Sequence, residues 1–184
     1  MPKDLIAQLV QYALYHRDPR NIHTHFIGVP MIMLGVVVLL SRPAWWVGGA
    51  LPATPALLAA LAACVFYARL DARYAGAMAL VLAAMLAAGH WLAGQATPLW
   101  LGAGLGMFAL GWAIQFVGHH YEGRKPAFVD DVVGLLVGPL FVMAELGFAL
   151  GLRMEVRRAI DDQAGPVALR TGPGPGRDAA AGRS

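Results

Sequence analysis

Residues 97–118 read TPLWLGAGLGMFALGWAIQFVG, a stretch that contains no charged side chain. An α-helix rises 1.5 Å per residue, so roughly 20 apolar residues cross the hydrocarbon core of a bilayer. The glycines of the stretch would allow neighbouring helices to approach closely in lipid. We therefore predict that these residues form a transmembrane helix and that the rest of the chain is built around a membrane.

The composition of the whole chain supports this prediction. Of its 184 residues, 58% are hydrophobic and 14% are charged, whereas soluble domains carry about 25% charged residues. The formal net charge of +3 comes from basic residues in the connections and the C-terminal tail, as the positive-inside rule produces. They form no basic face, which excludes nucleic acid as a partner. The single cysteine, Cys64, excludes an internal disulfide and a cysteine-ligated zinc cluster.

The apolar segments and their short connections predict a polytopic bundle. The segments cover residues 24–41, 53–70, 74–94, 97–118 and 131–152. The first two are marginal in length for a span. Residues 4–16 are amphipathic but too polar to span, so we predict a helix at the interface or packed on the membrane domain. The predicted class is all-α: a membrane helix bundle with four to five transmembrane segments and an N-terminal amphipathic helix.

Two features shape the C-terminal part of this bundle. Gly138-Pro139 interrupts the last apolar segment, which is expected to kink or turn back there. After residue 160 the chain becomes rich in glycine, proline and arginine, which cannot build a core. We therefore predict a membrane-embedded domain over residues 1–160 and a disordered tail over residues 161–184.

The distribution of lysine and arginine predicts the sidedness of the bundle. It places the N-terminus and the connections at 70–73 and 119–130 in the cytoplasm. Five complete spans would leave the basic residues after 152 on the other side, so either the last segment turns back or a marginal segment does not cross. No cleavable signal peptide is expected, because the first residues are too polar. The Ala-, Gly- and Arg-rich composition predicts an integral protein of a bacterial inner membrane.

Five of the six histidines share one predicted location, the cytoplasmic end of the bundle. They are His16, His23, His25, His119 and His120. The sixth, His90, lies about 24 Å along its helix from Tyr74 and is expected near the opposite face. Neutral imidazole is the commonest metal ligand and suits iron, zinc and copper. The pattern predicts a metal site; the alternative is a set of interfacial histidines that bind no metal.

Helical spacing narrows the choice among these side chains. His23 and His25 would point about 200° apart on a helix, so only one of them can face a shared site. His119 and Glu122 are three residues apart and would share a face. Glu122 could then be a ligand, orient His119, or pair with one of the basic residues that follow it.

Two further polar residues have predicted structural roles. Asn21 is of a type that often caps helices and is predicted to cap the first span. Glu145 lies inside the last apolar segment, where a carboxylate is costly. It is expected to pair with a basic residue or a histidine, or to mark a re-entrant turn that lines the site.

Two stretches of the sequence resemble the signatures of the Mpo1-like family. The first comprises YHRDPRN (15–21) and THFIGVP (24–30), and the second comprises GWAIQFVGH (111–119) and YEGRKPA (121–127). The resemblance covers roughly residues 10–150. It implies an iron(II)-dependent dioxygenase that uses O₂ to shorten 2-hydroxy fatty acids by one carbon at a membrane; the eukaryotic members reside in the endoplasmic reticulum. The implied cofactor is Fe²⁺, and the implied partners are a 2-hydroxy fatty acid, O₂ and membrane lipid.

The resemblance also implies roles for individual residues. It points to His16, His25 and His119 as iron ligands, with His120 as a further candidate ligand. Supporting catalytic roles fall on Asn21, Gln115 and Glu122. The substrate carboxylate could be neutralised by a basic residue near this end of the bundle. The candidates are Arg17, Arg20, Arg124 and Lys125, which could equally be topology markers.

Two other functions compete with this interpretation. One is another metal-dependent membrane lipid hydroxylase, which would use more histidines in paired, closely spaced motifs. The other is a non-enzymatic membrane protein, such as a transporter or an assembly partner, with structural histidines. Against a transporter, the sequence has no evident inverted repeat, and its polar residues gather at one end of the predicted bundle.

Overall fold

A computed structural model of the chain describes residues 4–47, 51–123 and 133–169. Its regular elements are helices, apart from one short antiparallel ribbon. In chain order they are α1 (Leu5–Ala13), α2 (Pro19–Ser41), β1 (Trp45–Val47), β2 (Leu51–Ala53), α3 (Pro55–Leu70), α4 (Ala72–Ala93), α5 (Thr97–Glu122), α6 (Gly134–Ala149) and α7 (Met154–Ala164). In the ribbon, Trp45 pairs with Ala53. The predicted all-α class is confirmed.

The chain divides into two compact units. One consists of residues 27–113, and the other combines residues 1–26 with residues 114–184. The histidines at 16, 25 and 119 all belong to the second of these units, whereas His90 belongs to the first.

Within the described residues, three helices are long and apolar enough to cross a membrane: α2, α4 and α5. The number rises to four if α6 and α7 form one bent span, while α3 is a shorter apolar helix. These helices agree with a polytopic membrane protein. The second predicted segment, 53–70, begins late, because Thr54 caps α3 and its side chain accepts a hydrogen bond from the N–H of Leu57.

The first predicted span begins earlier than its apolar residues suggest. Helix α2 starts at Pro19 instead of residue 24, because Asp18 Oδ1 accepts a hydrogen bond from the N–H of Arg20 at 2.9 Å. Aspartate before a helix and proline at its first position are a common start signal. The prediction that Asn21 caps this helix is wrong, since Asn21 lies in its first turn and Asp18 is the cap.

Of the two predicted alternatives at Gly138-Pro139, a kink or a turn back, the turn back is wrong, because α6 continues through both residues. Gly138 instead makes room for a neighbour: a Cβ there would lie 2.9 Å from the hydroxyl oxygen of Tyr12. The chain turns later, where α6 and α7 meet at 116°. Gly151 and Arg153 adopt positive φ angles of 75° and 52° at this bend.

The predicted amphipathic helix is present as α1. Asp4 caps it by accepting a hydrogen bond from the N–H of Ala7 at 2.8 Å. Its buried face, which includes Leu5 and Leu9, packs against α6 and α7. This helix is predicted to lie at the membrane interface or to pack on the membrane domain. Packing on other helices of the domain is therefore observed.

The C-terminal part of the chain contains an ordered helix, α7. Val156 and Ile160 are buried, and α7 packs on α1. Residues 161–164, predicted as the start of a disordered tail, belong to this helix, so the predicted boundary at 160 falls inside an ordered element. Its few apolar positions gave a weak signal in the sequence. Residues 170–184 of the predicted tail lie outside the described residues.

Candidate metal centre

His16 lies in the short connection between α1 and α2. Its ring is fully buried and its Nδ1 lies 2.7 Å from the carbonyl oxygen of Tyr12. The same ring stacks on the Tyr12 phenol, with centroids 4.1 Å apart and planes within 3°. Because the carbonyl can only accept, Nδ1 carries the proton and Nε2 presents its lone pair away from α1.

His25, in the second turn of α2, lies beside His16. Its ring is 1% exposed, and its Nδ1 donates to the carbonyl oxygen of Asn21 at 2.8 Å. His23, two residues earlier, is exposed, so only one member of this pair faces the interior, as helical spacing predicted. The carbonyl of Asn21 therefore orients the second imidazole as that of Tyr12 orients the first.

His119, in the last turn of α5, completes the group. The ring centroids lie 4.4 Å apart for His16 and His25, 5.0 Å for His16 and His119, and 5.3 Å for His25 and His119. One ligand atom from each histidine lies within 4.8 Å of the others. Among residues 4–47, 51–123 and 133–169, this is the only such group of three or more metal-ligand side chains. The predicted convergence is observed, and the role as metal ligands stays a prediction.

The chemistry of this group fits a divalent metal ion. Nε2 of His16 is buried without a hydrogen-bond partner among the described residues, which is costly unless something fills the position. The pKa of His16 lies well below its ordinary value, chiefly because the ring is buried, then because His25, His119 and Arg17 lie near it. Its imidazole is therefore neutral at physiological pH, which is the form that binds metals.

Glu122 supports the group from one turn beyond His119. Its carboxylate is 1% exposed and accepts hydrogen bonds from the backbone N–H groups of Arg17, at 3.0 and 3.2 Å, and Asp18, at 2.8 Å. The side chain of Asn21 donates to it at 3.2 Å. Glu122 thus holds the backbone that follows His16, and it lies outside the three-histidine group.

Two amide side chains flank the histidines. Asn21 is fully buried and Gln115, one turn before His119 on α5, is 4% exposed. The oxygens Asn21 Oδ1 and Gln115 Oε1 have no hydrogen-bond partner in the described part of the chain. Unsatisfied buried acceptors of this kind are typical of sites that take up a polar ligand or water.

Comparison with known proteins assigns the family. The family model described as "2-hydroxy-palmitic acid dioxygenase Mpo1-like" matches residues 3–150. The chain belongs to the Mpo1-like family. It is 32% identical over 160 residues to the 2-hydroxy-palmitic acid dioxygenase MPO1 of Saccharomyces cerevisiae. The matched region covers 86% of this chain and 88% of the yeast protein. No solved structure matches the chain.

The other predicted site residues of this Mpo1-like protein fall in different places. His120 is exposed and is not part of the three-histidine group, because it is rotated about 100° from His119 on α5. His90 is exposed in the last turn of α4. Arg20 forms a two-point ion pair with Asp18, at 2.8 and 3.0 Å, instead of facing the histidines as an uncompensated cation. Arg124 and Lys125 lie outside the described residues.

The sequence predictions do not include the role of Tyr12 or most contacts of Arg17. Tyr12 precedes His16 by four residues, a spacing that places the two on one face of a helix. Arg17 is predicted as a candidate cation for the substrate or as a topology marker, yet its guanidinium is buried and lies 3.7 Å from Glu145. The prediction that Glu145 pairs with a basic residue is confirmed. Neither partner could be named from the sequence, because the two residues lie far apart in the chain.

Proposed function

We propose that this protein is an iron(II)-dependent dioxygenase that shortens 2-hydroxy fatty acids by one carbon. The observation that carries the proposal is the buried group of His16, His25 and His119 in a member of the Mpo1-like family. The balanced reaction for 2-hydroxypalmitic acid consumes one O₂ and yields pentadecanoic acid, carbon dioxide and water. The bond between C1 and C2 breaks, and C1 leaves as carbon dioxide.

The donor set supports this choice of metal and substrate. His16, His25 and His119 would hold the ion, and iron, when bound, supplies the one-electron chemistry that lets O₂ react with the acid. Three neutral imidazoles leave the charge of a divalent ion uncompensated and leave room for further ligands. A 2-hydroxy carboxylate offers two oxygen donors and a negative charge. A lipid hydroxylase of the histidine-rich kind would need more histidines than the described residues bring together.

The surrounding side chains prepare this site for the reaction. Tyr12 and Phe141 lie against His16, with ring centroids 4.1 and 5.7 Å away, and keep water from that side of the imidazole. Glu122 holds the backbone that carries His16, so the ligand is preorganised. We assign Asn21 and Gln115 to the polar part of the substrate, because their buried oxygens can accept a hydrogen bond from its hydroxyl group.

The ion pairs of Arg17 and Arg20 indicate which group neutralises the substrate carboxylate. Arg17 is engaged by Glu145 and Asp161, and Arg20 by Asp18. These two cations are already compensated, so the metal ion itself is the main counter-charge. Arg124 and Lys125, predicted for the same role, remain candidates for steering the acid towards the site.

We place the protein in a bacterial inner membrane with the site at the cytoplasmic face. Three apolar helices of sufficient length support the membrane location, and the positive-inside bias supports the side. The N–H of Ala168 donates to the carbonyl of Arg17 at 3.0 Å, so the chain after α7 lies beside the N-terminal segment. This contact supports a last segment that turns back, which would leave the basic residues after 152 on the cytoplasmic side. The acyl chain would lie along the apolar helices.

Metal analysis combined with oxygen uptake tests the proposal. Protein purified in detergent is expected to bind Fe(II) stoichiometrically and to consume O₂ with 2-hydroxypalmitate. Palmitate, which lacks the hydroxyl group, is the matched control and should give no uptake. A protein that binds no iron, or that consumes O₂ equally with both acids, contradicts the proposed function.

A further inference from the structure

Arg17 connects the candidate metal centre to the C-terminal part of the chain. Its Nε donates to the carbonyl oxygen of His16 at 3.1 Å. Its Nη1 donates to Asp161 Oδ1 and to the carbonyl oxygen of Gly165, both at 3.0 Å. The side chain is 4% exposed, so this charge depends on protein partners instead of water.

The backbone of Arg17 is held as firmly as its side chain. Its N–H donates to Glu122, and its carbonyl oxygen accepts from the N–H of Ala168 at 3.0 Å. The carbonyl of His16 and both backbone groups of Arg17 are therefore satisfied by specific partners. Two of these contacts depend on residues after 153. The contact at the Arg17 carbonyl comes directly from Ala168. The contact at the His16 carbonyl comes from the Arg17 guanidinium, which Asp161 and Gly165 hold.

The C-terminal strap, residues 154–168, comprises α7 and the segment that follows it. It lies beyond residues 3–150, which the family model matches. Val156 and Ile160 anchor the strap by packing into the protein interior, and α7 contacts α1, the helix that precedes His16. The strap is thus in contact with the metal centre's support without belonging to the family's signature.

We propose that the C-terminal strap positions His16 for metal binding, acting through Arg17. This inference rests on the proposed metal centre. Asp161 and Gly165 aim the buried guanidinium at the carbonyl of His16, and Ala168 fixes the peptide that follows. Without Asp161 the guanidinium loses a charged partner and moves towards Glu145 or water, which releases the His16 carbonyl. Arg17, Asp161 and Ala168 are positioning residues in this account, since none of them touches the metal.

Titration of the full-length protein with Co(II), followed by visible absorption, tests the proposal. Asp161→Ala is expected to raise the apparent Kd about tenfold, in the range seen for outer-shell partners of metal ligands, and to shift the absorption bands. Asp161→Asn keeps an acceptor oxygen and should recover most of the affinity. Asp162→Ala is the matched control, because Asp162 is the exposed neighbour on the same helix. The unfolding midpoint of the metal-free protein identifies variants that do not fold.

A second variant protects the test against misfolding. Ala168→Pro removes the N–H donor to Arg17 at an exposed position and should also raise the Kd. The exposed Leu169→Ala is its control. If Asp161→Ala does not fold, Ala168→Pro decides alone. A wild-type Kd and spectrum in the folded variants overturn the inference while leaving the metal centre intact. Wild-type protein that binds no metal overturns the proposed function itself.

Discussion

The imidazole of His16 lies flat on the phenol ring of Tyr12, with the two planes within 3°. The backbone oxygen of the same tyrosine accepts a hydrogen bond from Nδ1 of that imidazole, with the two atoms 2.7 Å apart. One residue therefore fixes both the orientation of the ring and its tautomer, and the remaining nitrogen faces His25 and His119. Asn21 and His25 repeat the backbone part of this arrangement on α2 at the same spacing of four residues.

Substitution of Tyr12 separates the ring contact from the backbone contact. Tyr12→Phe keeps the stacked ring, so we expect Co(II) affinity close to that of wild type. Tyr12→Ala retains the carbonyl but leaves a cavity beside His16, and removal of a buried aromatic costs about 3–5 kcal/mol of unfolding free energy. Its metal affinity should fall with its stability. Equal losses in the two variants would mean that the phenol hydroxyl, and not the stacked ring, is what matters.

Neighbouring histidines provide matched pairs for the ligand assignment. His25→Ala and His119→Ala each remove one buried member of the group, so we expect loss of bound iron in both. His23→Ala and His120→Ala change exposed histidines on the same helices and should retain it. Metal content of the purified variants, measured by mass spectrometry, checks the prediction. Loss of iron in the exposed pair, or its retention in the buried pair, would contradict the assignment.

Local signals in the sequence predicted much of the fold and the identity of the three central histidines. The length of the apolar runs gives the spans, and the spacing of His23 and His25 requires that only one faces inwards. The family resemblance selected His16 and His119. Each of these inferences needs only information that is close in the chain or carried by a motif.

The contacts that the sequence did not reveal are those between distant residues. Glu122 binds backbone N–H groups more than a hundred residues away, and an amide leaves no mark in the sequence. Helix α7 was assigned in part to a disordered tail, because two buried residues, Val156 and Ile160, are a weak periodic signal. The first predicted span is bounded by its apolar residues, so it leaves out the Asp18-Pro19 start signal of α2, which precedes them.

Gly118 allows α2 and α5 to approach closely beside the metal centre. A Cβ at this position would lie against the side-chain oxygens of Asn21 and Thr24. Gly118→Ala should therefore force the helices apart and cost about 1–3 kcal/mol, as overpacking typically does. Gly106→Ala on the same helix is the control, since a Cβ there meets nothing within 4 Å. Unfolding midpoints in detergent measure the difference, and equal midpoints for the two variants would contradict the close approach.

The stability of the metal-free protein should decrease as the pH is lowered through about 6.5, the ordinary pKa of histidine. Burial, His25 and His119 lower the pKa of His16 in the folded state. Below that pH the unfolded chain therefore binds more protons than the folded chain. The contribution of His16 to the free energy of unfolding is complete above that pH, and it is lost as the pH falls towards the pKa of His16 in the folded state.

Unfolding midpoints at pH 7.5, 6.5 and 5.5 check this expectation. His16→Gln should show a shallower decrease than wild type, because it lacks the group that must take up a proton on unfolding. His90→Gln, at an exposed position, should follow wild type. A wild-type midpoint that rises on acidification, or a variant with the same slope, would show that His16 is not buried in its neutral form.

Identification of the reaction product is the most direct test of the proposed shortening of 2-hydroxy fatty acids by one carbon. Fe(II)-loaded protein in detergent is incubated with O₂ and 2-hydroxypalmitate labelled with ¹³C at C1, and the acids and gas are analysed by mass spectrometry. We expect unlabelled pentadecanoic acid, with release of the label as carbon dioxide, from wild type and His23→Ala but not from His25→Ala. Absence of the shortened acid from iron-loaded wild type, or an undiminished yield from His25→Ala, would contradict this expectation.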